Sequence, residues 1–146
     1  MKKIFYLSSF LLFCFTACKD GDKQTSVSEN DVDAVRNFIQ AALEGNYEKA
    51  ETFMIHDSVS MDRMNNIKRV NLSAEEKKGL AAASIIVHSI TRVNDSATVV
   101  IYSNSFKKNQ DTLRALRVNG NWLVDFNYLF DHDKDTLINK PDSLSR

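Results

Sequence analysis

Cysteine is nearly absent from this chain of 146 residues: there are two, Cys14 and Cys18, both near the N-terminus. Nothing after Cys18 can supply a disulfide, a thiol nucleophile or a cysteine-based metal site. Glycine is scarce. Gly21, Gly45, Gly79 and Gly120 are too scattered for a phosphate-cradling loop. Neither Gly-x-Ser-x-Gly nor His-Glu-x-x-His occurs, which removes the commonest sequence signs of a serine hydrolase and a zinc protease. Lys+Arg and Asp+Glu are equal at 19 each, so the concentrated basic footprint of a nucleic-acid binder is missing. The longest apolar stretch, Ile4 to Phe15, includes Ser8 and Ser9 and falls short of the roughly 20 residues a spanning helix needs.

What is present at the N-terminus has an order. Met1-Lys2-Lys3 is positive, Ile4 to Phe15 is apolar, and Thr16-Ala17 are small, which is the layout of a secretory signal. The polar run Lys19 to Glu29 follows Cys18 at once. The stretch Phe15-Thr16-Ala17-Cys18 resembles the cleavage site of a bacterial lipoprotein signal, with Phe15 where Leu is usual. That resemblance implies a mature chain beginning at a lipidated Cys18, palmitate among its acyl chains, held at the cell envelope, the outer membrane ahead of the inner. Asp20 and Asp22 resemble the export signals of surface lipoproteins of Bacteroidetes-type bacteria. Loss of Lys2 and Lys3 would leave 17 basic against 19 acidic residues, about −2. Lys19 to Glu29 reads as a flexible tether spanning roughly 15–20 Å. The expected division is 1–17 signal peptide, 18–29 anchor and tether, 30–128 folded domain, and 129–146 polar tail.

Within the domain, Ser28 to Asp31 offers helix-capping residues. Val32, Val35, Phe38, Ile39, Ala42 and Leu43 then recur at helical spacing until Gly45-Asn46. Tyr47, Ala50, Phe53 and Met54 predict a second helix. Met61, Met64 and Ile67 keep helical spacing in a mixed segment, and Ser73 to Glu76 is a capping box. From Ser84 the character changes to β-branched and aromatic runs parted by turn residues. Asn119-Gly120 predicts a two-residue hairpin turn, since both central positions of that turn take positive φ. Ala97, Val99 and Ile101 are expected on one face. Leu116 and Val118, then Trp122, Val124 and Phe126, are expected to alternate on the next strand pair, with Trp122 the main apolar anchor. Helices first and strands after predict an α+β fold, with helices on one face of a curved antiparallel sheet.

This order, with "VRNFIQAALEGNYEKAETFM" and the closing "LRVNGNWLVDF", resembles the nuclear-transport-factor-2-like (cystatin-like) cone fold, and more narrowly the small bacterial lipoproteins that carry a domain of unknown function of that type. The resemblance covers roughly residues 28–128 and implies a fold and an address, with no cofactor. The expected role is a non-catalytic binding or interaction module for a small apolar ligand or an envelope protein, partnered by the membrane through its lipid and by no nucleic acid.

The alternative is a small cone-fold enzyme of isomerase, dehydratase or hydrolase type. It would use His88, read as in register with Ile86 and Ile90, near Tyr102 and a carboxylate such as Asp125. Asp131, Asp133, Asp135 and Asp142 fall at positions 1, 3, 5 and 12 of a calcium-loop pattern. Thr136 stands where that loop wants glycine and Asp142 where it wants glutamate, so a solvated acidic tail is the plainer reading. His56 and His132 stand isolated among polar residues.

Overall fold

Every major helix starts on a side-chain oxygen. In the computed structural model, which describes residues 30–132, Asn30 Oδ1 accepts from Asp33 N at 2.8 Å and opens α1, Asp31–Leu43. Asn46 caps α2, Tyr47–Glu51; Asp57 caps α3, Ser58–Lys68; and Ser73 with Glu76 forms a reciprocal capping box on α4, Ala74–Ala81. Helix α1 ends as its sequence predicts. Gly45 has φ +73°, its N–H reaches Ala42 O, and the Asn46 N–H reaches Ala41 O, so the last carbonyls are satisfied. The signal segment, Cys18 and the tether lie outside the described residues, as do Asp133, Asp135 and Asp142.

Four strands follow: β1 Ile85–Asn94, β2 Ala97–Asn104, β3 Gln110–Val118 and β4 Asn121–Asp125. They pair antiparallel in sequence order. Asn119 and Gly120 take φ +51° and +86°, the hairpin expected from the Asn-Gly pair. A short α5, Tyr128–Asp131, continues the packed structure past residue 128, where the sequence reading ends the domain. Phe130 meets the Phe126 ring edge-on at 5.4 Å, and Arg63 bonds both Asn127 O and Asp131 Oδ2. Among the described residues no helix is long and apolar enough to cross a membrane.

The helices cover one sheet face. Val35, Phe38 and Ile39 of α1 pack on Val100, Tyr102, Leu113, Ala115, Val124 and Phe126. Full burial of an aliphatic or aromatic side chain contributes about 1.5–3 kcal/mol, so this layer carries most of the stability. Asp31 ties the start of α1 to the sheet. Its carboxylate accepts from Thr98 Oγ1 at 2.7 Å and from Arg92 Nε at 3.2 Å. Burial works against its ionisation, but the Thr98, Arg92 and Val32 hydrogen bonds outweigh burial and hold it below the ordinary carboxylate range.

Three expectations need correction. The second helix is shorter than its apolar spacing suggests: it stops at Glu51, and Phe53 and Met54 leave it to pair with the free edge of β4. Val124 N donates to Phe53 O at 2.8 Å and Ile55 N to Val124 O at 2.9 Å. On β2, Ala97, Val99 and Ile101 share one face as expected, and it is the face away from the helices. Thr98, Val100 and Tyr102 face the helices, while Ala97, Val99 and Ile101 face away with Leu116 and Leu123. A two-residue turn pairs Val118 with Asn121, so Leu116 lies opposite Leu123, and Trp122 opposite Arg117. Trp122 is consequently half-buried at the rim, while Val124 and Phe126 are the buried members of that row. The strand β1 is bulged between Val87 and Ser89, which puts Ile86 opposite Ser103 and Ile90 opposite Val100, on different faces.

Candidate functional site

Between the helices and the sheet lies a mainly apolar cavity of about 190 Å³. Its roof is Phe38, Ile39, Ala42 and Leu43 of α1, with Tyr47 of α2 and Met64 and Ile67 of α3. Leu80 of α4 and Leu129 of α5 close its flanks. Its sheet side is Tyr102 and Asn104 of β2, Asp111 of β3, and Phe126. The helical stripe builds the roof because positions three and four apart share a face. The polar sheet side follows from register: Tyr102 and Asp111 are direct cross-strand partners, so both side chains emerge on the helix side.

Burial raises the Tyr102 phenol far above its ordinary value, and the Asp111 charge adds to the shift. Phenolate is therefore no part of this site at neutral pH, and Tyr102 acts as a neutral hydrogen-bonding group. Asp111 is half-buried, and burial raises its carboxyl too, against the opposing fields of His132 and Lys107. The Asn104 carbonyl oxygen is engaged by the N–H groups of Phe106 (3.1 Å) and Lys107 (2.8 Å), which anchors this amide at the cavity edge. The loop beyond is seated on α4: the Phe106 ring lies directly against Gly79, where any Cβ would collide with it.

A second cleft of about 300 Å³ adjoins the first and shares Ala42, Leu43, Tyr47 and Leu80 with it. Its outer border is polar, with Glu44, Lys68 and Lys77. Lys68 Nζ sits 2.7 Å from Glu51 Oε1.

His88 is not brought to this cavity. Its Nε2 lies 2.8 Å from Ser103 Oγ, and Ser103 alternates with Tyr102, so His88 and Tyr102 are on opposite faces. Asp125 also faces outward, where the Arg114 guanidinium approaches it to 2.6 Å. His88 on β1 and Asp125 on β4 are separated by three strand spacings, roughly 14 Å. The geometry therefore assembles no His–Tyr–carboxylate group from the residues the sequence singled out. Asp131 is paired with Arg63 at 3.0 Å, and His132 Nδ1 lies 3.2 Å from both Tyr128 O and Leu129 O. The remaining histidine, His56, sits beside Glu51 O at the surface. Among the described residues no group of three His, Cys, Asp or Glu is placed to hold a metal ion.

Asp111 and Asn104 are the site residues that sequence reasoning missed. The loop "NSFKKNQD" marks a turn between two strands, but its length leaves the register open, and it is the register that pairs Asp111 with Tyr102. Compared with protein-family models, curated proteins and solved structures, the chain matches none of them.

Proposed function

We propose that this chain is a lipid-anchored protein of the bacterial envelope, tethered through Cys18, whose α+β domain is a non-catalytic binding module. The domain is a cone-like fold of the nuclear-transport-factor-2-like type, and it takes a small, largely apolar molecule between helices and sheet. The observation that carries this reading is the cavity itself: apolar walls from five helices, and a few polar groups gathered on its sheet side. Binding sites have that composition, apolar for affinity and sparingly polar for orientation. At about 190 Å³ it compares with an engineered cavity of about 150 Å³ that binds benzene. The two bulges in β1 support a curved sheet, since a bulge bends its strand and increases the local twist.

Two experiments test the two halves of the reading. Calorimetric titration with a neutral one-ring molecule, phenethyl alcohol, is expected to give saturable one-to-one binding, abolished by Ala42→Phe, which fills the cavity from α1. Binding that is unaffected by Ala42→Phe would place the ligand elsewhere. For the anchor, Cys18→Ser is expected to move the protein out of the membrane fraction, because two or more acyl chains hold where none remains. Unchanged fractionation, with no lipid mass on the wild-type chain, removes the tether.

A further inference from the structure

The cavity holds more chemistry than an apolar guest uses. Among the described residues, four other carboxylates meet a cation: Asp31 with Arg92, Glu51 with Lys68, Asp125 with Arg114 and Asp131 with Arg63. Asp111 belongs to none of these pairs. It stands on the cavity wall beside Tyr102, within the fields of His132 at the C-terminal cap of α5 and Lys107 from the β2–β3 loop. The residues facing it from α1, α3 and α4 are apolar. Lys68 and Lys77 border the adjoining cleft instead.

The remaining walls are rich in rings: Phe38, Tyr47, Tyr102 and Phe126 all line the space. Aromatic faces attract a cation, and more strongly where water is excluded. A carboxyl whose charged form is disfavoured by burial gains most from a guest that brings the opposite charge. An anionic guest would meet the Asp111 charge, and a neutral one would leave that carboxyl desolvated. A cationic guest satisfies both the acid and the rings.

We propose that the ligand of this cavity is a primary amine on a single ring or short alkyl chain. Its ammonium sits at Asp111 and Tyr102, and its apolar body lies among Phe38, Tyr47 and Phe126. The volume leaves room for one ring and a few further atoms. This rests on the reading of the cavity as a ligand site, and the test separates the two.

The full chain is titrated with three matched probes at neutral pH: phenethylamine, phenethyl alcohol and phenylpropanoate. The amine is expected to bind about tenfold or more tightly than the alcohol, and the carboxylate not to saturate. Asp111→Asn, nearly the same size, is expected to abolish the preference for the amine over the alcohol. An unchanged circular dichroism spectrum and urea transition show that this variant is folded. The wild-type chain gives an independent readout: the amine preference falls as pH is lowered through the Asp111 titration, while alcohol binding stays level. Equal binding of amine and alcohol, or a preference that survives Asp111→Asn, overturns the amine assignment and leaves the cavity reading standing. No saturable binding by any of the three overturns both.

Discussion

Replacing Phe126 by alanine removes a ring that is 2% exposed and meets Phe38 at 5.3 Å and Phe130 at 5.4 Å. Deleting a ring of roughly 100 Å³ leaves a hole costing about 24 cal/mol per Å³, so about 2.4 kcal/mol, on top of the lost transfer energy. Two broken aromatic contacts add about 0.5–1.5 kcal/mol each. Water entering the enlarged cavity offsets part of this, which brings the expected loss to about 4–5 kcal/mol. That is a large share of the roughly 5–15 kcal/mol that holds a small domain together. Trp122, half-buried at the rim opposite Arg117, is the control. Part of its surface already meets solvent, so Trp122→Ala is expected to cost less than Phe126→Ala. Urea denaturation of both variants, with the slope checked against wild type, measures the difference. If Trp122→Ala costs more than Phe126→Ala, the tryptophan is the anchor after all and the core is centred nearer the Asn119-Gly120 turn.

A Cβ at Gly120 has nothing within 4 Å, but Gly120→Val must hold φ at +86°. The backbone strain is expected to cost about 1–2 kcal/mol or more by urea midpoint, and a neutral result would mean that the hairpin adopts another turn. Asp31, whose carboxyl is held below its ordinary value, contributes stability that is complete above pH about 4 and is lost as pH falls through its lowered folded range. Asp31→Asn should therefore lower the melting temperature at neutral pH and flatten its acid limb; an unchanged limb would show the Thr98 and Arg92 contacts to be idle. Asp57 acts in the same direction. The Ser60 hydroxyl and N–H, with Asn127, hold it at about 2, so part of the limb that remains in Asp31→Asn should lie between about pH 4 and 2 and be lost in the double variant with Asp57→Asn. Truncation after Asn127 removes Phe130 and Asp131 from Arg63 and Phe126, and should lower the melting temperature by several degrees or more relative to truncation after His132.

The local elements were legible in the residues because their causes are local. The α1 stripe, the Ser73–Glu76 capping box, the Gly45 stop and the Asn119-Gly120 turn each rest on neighbours within a few positions, and each stands where its sequence predicts. The α+β order followed from the switch in period after Ala83. Faces and partners were harder. The β2 strand is apolar on both sides, with Val99 and Val100 both buried, so alternation alone could not say which side meets the helices. Nor could a local pattern announce the β1 bulge that parts Ile86 from Ile90, or the departure of Met54 from its helix to the edge of β4.

The same division runs through the candidate site. Histidine and tyrosine draw attention as residue types, yet His88 turns to the open face of the sheet, and Asp111, one acid among many, is the one set beside Tyr102. By itself the sequence determined the α+β order of helices and strands and the Asn119-Gly120 turn between the last two strands. The tertiary structure alone decided which carboxylate shares the cavity. Register couples residues nine apart across a hairpin, and a single-residue shift in that register would have sent the Asp111 side chain to the opposite face.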